Sequence, residues 1–80
     1  MTLGERILIL RRRRGMSQGA LATASGLNRN TIARLEQGNL HDLGGQSLVK
    51  LALALGCSTD VLLGMAEMDT KTESFAAGAS

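Results

Sequence analysis

The sequence predicts an all-α protein, a compact five-helix bundle, and three observations carry that expectation. Eighty residues make one domain with a modest core. There is no Trp, Tyr or Pro and a single Phe, Phe75, so Leu, Ile, Val, Ala and Met must do the packing. That composition favours helices over strands. Apolar residues also recur at helical spacing in stretches bounded by capping residues and glycines.

Thr2-Leu3-Gly4-Glu5 is a capping-box pattern, and Leu3, Ile7 and Leu10 follow at helical spacing. A first helix is therefore expected over Leu3 to Arg14, stopped by Gly15, with Met16 plugging the core. Ser17 is an N-cap residue for a short second helix over Gln18 to Ala24, which turns Leu21 and Ala22 inward. Gly26 permits a left-handed backbone in a tight turn, Leu27 re-enters the core and Asn28 caps a third helix that reaches Gln37 and stops at Gly38. The segment 17–37 thus reads helix, turn, helix. Asn39 to Gly45 has no periodicity and reads as a loop. A fourth helix is expected from about Gln46 to Leu55, with Leu48, Leu51, Ala52 and Leu55 on one face and Gly56 ending it. Ser58 caps a short fifth helix whose core residues are Val61, Leu62 or both, and Gly64 ends the compact part. The domain is expected to span 3–64. Residues 65–80 are small, polar and unpatterned, and read as a flexible tail or an element ordered only by a partner.

Net charge is only +2, but it is segregated. Residues 1–36 carry seven Arg against two Glu, and residues 37–80 carry two Lys against five acids. Clustered positive charge is the footprint of a polyanion site, because neutralising phosphates releases condensed counterions. A solvated helix face accounts for charge alone about equally well. The lone Cys57 cannot form an internal disulfide, and no run approaches the roughly 18 apolar residues of a membrane span. Glu5 and Arg6 interrupt the first ten residues and no cleavage pattern follows, so no signal peptide is expected and the cytoplasm is the expected compartment.

The third helix concentrates the chemistry. With about 100° per residue, Leu35, Asn28 and Ile32 share a sector of roughly 60° that must face the core. The opposite arc holds Arg29, Ala33, Gln37, Asn30 and Arg34. Arg grips guanine O6 and N7, and Asn grips adenine N6 and N7, each bidentately in the major groove. Small Ala33 sits mid-face, where close approach to a groove floor requires little bulk. Any surface helix turns polar residues outward; helix punctuation and charge segregation together tip the reading toward DNA.

The chain resembles the Cro and lambdoid-repressor type of helix-turn-helix proteins, the XRE family, from about Gly4 to Gly64. The carriers are Ile7, Leu10-Arg11, Arg14-Gly15-Met16-Ser17-Gln18, Leu21-Ala22, Ser25-Gly26-Leu27, Thr31-Ile32, Leu35-Glu36-Gln37-Gly38, Leu48, Leu51-Ala52, Ala54-Leu55-Gly56, Ser58 and Leu62-Leu63-Gly64. The resemblance implies a lambda-repressor-like domain that binds double-stranded DNA as a homodimer on a two-fold operator, with the third helix in the major groove. By position it implies that Gln18 meets the DNA backbone or an outer base. Asn28, Arg29, Asn30, Ala33 and Arg34 fall at reading positions, and Asn39 is placed like loop residues that touch phosphate. It also implies a structural ion pair between Arg11 and Glu36, which leaves Arg12 and Arg13 solvated and Arg14 open to either role. The chain departs from the family pattern at Ala20, where Glu is usual, in a longer loop without Pro, and at Cys57, where Val is common and a small buried apolar residue is expected.

His41 has no companion at metal-ligand spacing, Gly44-Gly45 lacks the lysine of a phosphate loop, and no nucleophile, base and acid set can be placed together. No metal, cofactor or enzymatic activity is expected. Two functions stand: a sequence-specific transcriptional regulator, expected to be a repressor working in the cytoplasm at the nucleoid, and a protein-interaction module of the same fold, such as an antitoxin or adaptor. The second would use the tail, where Met65, Met68 and Phe75 could dock on a partner.

Overall fold

A computed structural model describes residues 1–66. Five helices follow in order, α1 Leu3–Arg13, α2 Gln18–Ser25, α3 Arg29–Glu36, α4 Gly45–Leu55 and α5 Thr59–Leu62. There is no strand among the described residues. The architecture is the expected all-α five-helix bundle. Met68, Phe75 and the rest of the expected tail from residue 67 lie outside the described residues. Met65 and Ala66 lie within them: Met65 donates its N–H to the Asp60 carbonyl at 2.8 Å, and Ala66 packs against the core.

Local chemistry explains where the helices begin. The Thr2 hydroxyl accepts from Glu5 N–H while the Glu5 carboxylate accepts from Thr2 N–H, so α1 starts on a complete capping box. Hydrogen bonding to the carboxylate from the Thr2 backbone N–H first, and then from the Thr2 side chain, holds the Glu5 carboxyl below its usual range. Ser17, Asn28 and Ser58 cap α2, α3 and α5 through side-chain oxygens. Only α4 starts without a side-chain cap, one residue earlier than its apolar pattern suggested, on Gly44.

Ile7, Leu21, Ile32, Leu35, Leu51, Leu55 and Leu62 are the largest fully buried side chains, so every helix contributes to one core. Val61 is buried beside Leu62, and Met16, Leu27 and Cys57 pack against the cluster from its edge. Helix α1 packs on α3 and α5, α2 on α3 and α4, and α4 on α5. The α2–α3 turn is closed by Gly26 at φ 73°, a left-handed conformation that a Cβ would strain. Buried Ser25 locks it: its hydroxyl donates to Ala22 O and accepts from Leu27 N–H, both at 3.3 Å.

Two expectations about the core fail. Leu48 is half-buried rather than part of the core. The buried residues of α4 are Leu51, Ala52 and Leu55, and Leu48 lies a turn nearer the start of the helix, outside that buried set. Asn28, assigned to the inward sector, is exposed. It is a cap with extended backbone (φ −73°, ψ 136°), so the helical angle that placed it does not apply. Val49 and Leu53, which the helical spacing turns away from the buried face of α4, are exposed, Leu53 to 76%. No helix among the described residues is long and apolar enough to cross a membrane.

Gly4 is where α1 comes closest to α3. A Cβ built there would run into the Leu35 carbonyl, a backbone atom that cannot swing away. Gly19, in contrast, has only the Ser17 Oγ nearby, at 3.8 Å. In urea denaturation, Gly4→Ala should lose about 2–3 kcal/mol through overpacking. Gly19→Ala should gain about 0.5–1 kcal/mol from helix propensity. Equal effects of the two substitutions would contradict the close approach.

Candidate nucleic-acid interface

Helix α3 is anchored on one side and open on the other. Ile32 and Leu35 are buried, while Arg29, Asn30, Arg34 and Gln37 are exposed and Ala33 is half-buried between them. Among the described residues, Arg29 and Arg34 form no ion pair and the Asn30 side chain has no hydrogen-bond partner. Two guanidiniums and one amide therefore stand on a single face with their hydrogen-bonding groups unspent.

Asn28 and Asn39 are more committed. Asn28 Oδ1 accepts from Asn30 N–H at 2.7 Å, so only its Nδ2 remains to donate outward. Asn39 N–H donates to Arg34 O at 2.8 Å, and its Nδ2 donates to Gln37 Oε1 at 3.3 Å. Its backbone N–H is thus occupied in ending α3, which leaves the exposed side chain as its outward group.

The base of α3 is held by a polar joint. Arg11 Nε donates to Glu36 Oε2 at 2.8 Å and Arg11 Nη2 to Glu36 Oε1 at 2.9 Å, a bidentate pair. The two side chains are only 11% and 5% exposed. Arg11 Nη1 also donates to Met16 O at 2.8 Å, which ties in the connection between α1 and α2. Gln18 Nε2, at the start of α2, completes the joint by donating to Glu36 Oε1 at 2.9 Å. Burial pushes the Glu36 carboxyl up, but the bonds from Arg11 and Gln18 and the charges of Arg11 and Arg12 outweigh it and hold it below the usual carboxylate range. No sequence signal announced the Gln18–Glu36 bond, whose partners lie 18 residues apart.

The arginine run is divided by the fold. Arg14 lies against Gly56, the αL cap of α4, and Arg6 lies against Gly64 beyond α5, so both cover helix C-termini, where the dipole favours a cation. Arg12 is exposed. Among the described residues no group of three or more His, Cys, Asp or Glu could hold a metal.

Residues 7–62 match the helix-turn-helix family model. The chain is similar to three solved structures. One is the master regulator for biofilm formation SinR in complex with DNA, 27% identical over 78% of this chain and 98% of that one, TM-score 0.75. Another is the P22 c2 repressor protein in complex with synthetic operator 9T, 32% identical over 78% and 92%, TM-score 0.71. The third is a SinR protein/SinI protein complex, 25% identical over 98% and 78%, TM-score 0.77. Among curated proteins no match was found.

The depressed Glu36 carboxyl sets a pH dependence. A carboxyl whose folded pKa is lowered contributes stability that is present above its unfolded value and lost as pH falls through the folded one. At neutral pH, Glu36→Gln leaves Arg11 buried without its counter-charge and should cost roughly 3–5 kcal/mol. The gap between parent and variant should narrow as pH falls from about 5 to 3. Glu5 is depressed in both proteins and cancels in the comparison. Urea melts across that range check it, and a constant gap would refute the assignment.

Proposed function

The chain belongs to the XRE-type helix-turn-helix family, and from that premise we propose that it is a sequence-specific regulator of transcription, a repressor that binds a two-fold operator as a homodimer. The observation that carries the reading is the outer face of α3, where Arg29, Asn30 and Arg34 stand exposed on a helix anchored from behind by Ile32 and Leu35.

An α-helix fits the B-DNA major groove. There each arginine can take O6 and N7 of a guanine and Asn30 can take N6 and N7 of an adenine, each pair worth about 1–3 kcal/mol of discrimination. Ala33 between them lets the helix sit deep. Asn28 Nδ2 and the Asn39 side chain flank this face and suit phosphate oxygens, which accept but do not donate. These contacts fix register, while the three longer side chains read. Arg12 adds positive charge from α1.

Pairing two copies mirrors a two-fold site and doubles a small contact surface. Exposed Val49, Leu53, Leu63 and Met65 support an association surface on α4 and beyond α5. The reading places the protein in the cytoplasm, at the DNA. A second reading, a module whose main partner is a protein, is favoured by the similarity to SinR solved with SinI, and the same exposed apolar side chains are its candidate surface.

Selection from randomised duplex DNA tests the first reading. The parent should enrich a two-fold symmetric sequence, Asn30→Ala should lose about 5- to 150-fold discrimination at one position per half-site, and binding should weaken steeply with salt. Absence of any enriched sequence would defeat it and favour the protein partner. Light scattering that finds a monomer both free and on DNA would remove the dimer.

A further inference from the structure

Gln18 is half-buried at the first position of α2, and its Nε2 lies 2.9 Å from Glu36 Oε1. A carboxylate has no hydrogen to give, so the amide must turn its nitrogen, not its oxygen, toward Glu36. Glu36 cannot adjust, because Arg11 holds both its oxygens and its side chain is only 5% exposed. One N–H of Gln18 is thereby consumed inward. The Oε1 and the second N–H remain, and among the described residues nothing donates to that Oε1.

We infer that Glu36 is a positioning residue for a base-reading Gln18, presenting the free edge of its amide as a paired acceptor and donor that matches adenine. This rests on the DNA-binding reading above and deepens it. A phosphate offers acceptors only, so it would use the N–H and face the amide oxygen with like partial charge. In the major groove guanine shows two acceptors, cytosine a donor and thymine an acceptor beside its methyl group. Adenine alone shows both, N6–H to give and N7 to receive. An amide pairs with it through its oxygen and the N–H on the same side, and the other N–H is the one a third group can hold without disturbing that edge.

The experiment is selection from randomised duplex DNA with parent, Gln18→Ala and Glu36→Asp, whose carboxylate is one methylene shorter. The parent should require adenine at one position per half-site beyond those lost with Arg29, Asn30 or Arg34. Gln18→Ala should lose about tenfold discrimination there and nowhere else, and Glu36→Asp, which also loosens the joint at the end of α3, should weaken that position more than the positions read by Arg29, Asn30 or Arg34. If Gln18→Ala lowers affinity evenly with every preference intact, Gln18 is a backbone contact and the inference fails. A folded Glu36→Asp that keeps full adenine preference overturns the positioning role. Should Glu36→Asp not fold, NMR of the parent decides that role: the Gln18 side-chain N–H signals should move as acid protonates the Glu36 carboxylate they are bonded to, and signals that stay flat overturn it. A parent that selects no sequence brings down the DNA-binding reading itself, which is a different result from selection that ignores Gln18.

Discussion

Everything that places α3 converges on the carboxylate of Glu36. It sits at the last position of α3, nearly sealed from solvent, and accepts from α1 through Arg11 and from α2 through Gln18. Arg11 carries the connection on to the Met16 carbonyl, so one buried pair registers three helices and a loop. A hydrophobic core resists separation but tolerates small slides and rotations, whereas a bidentate guanidinium and carboxylate resist both. Gly4 adds the complementary restraint, since α1 meets the α3 backbone at Leu35 with no side chain between them. The end of α3 is therefore fixed in orientation by hydrogen bonds and in distance by hard contact.

This arrangement redistributes the positive charge of the N-terminal half. Of the seven arginines there, Arg11 is locked inside and Arg6 and Arg14 lie over the ends of α5 and α4. The guanidiniums that face outward from α3 are only Arg29 and Arg34. Charge in the sequence was thus a coarse guide, because the same residue type serves as a buried tie, a helix-end cover and an outward donor.

Where local chemistry decides, the sequence was readable. Thr2, Ser17, Asn28 and Ser58 cap helices through bonds no more than three residues long, and each start was legible from the capping residue and the apolar spacing behind it. The outward placement of Arg29, Asn30 and Arg34 follows from the helical angle once Ile32 and Leu35 are taken as core. What escaped depends on distant partners. The contact of Gly4 with Leu35 spans α1 and α3, the Gln18–Glu36 bond spans α2 and α3, and the Arg11–Glu36 pair was suggested by family resemblance rather than by spacing. Leu53 looks like core by composition, yet nothing packs over that side of α4 to cover it. Asn28 shows a different limit, since a capping residue obeys loop geometry although it adjoins a helix.

The double engagement of Glu36 restricts how this surface can change over generations. The side chains of Arg29, Asn30 and Arg34 are exposed and make no hydrogen bond or ion pair among the described residues, so under the DNA-binding proposal replacements there would alter what is read without loosening the body. Position 18 is not free in that way. An acid there would set two carboxylates side by side, a lysine would compete with Arg11 for the same oxygens, and an alanine would leave one lobe of Glu36 unfilled. Drift in target preference should accordingly run through α3 first, with position 18 confined to a narrow alphabet.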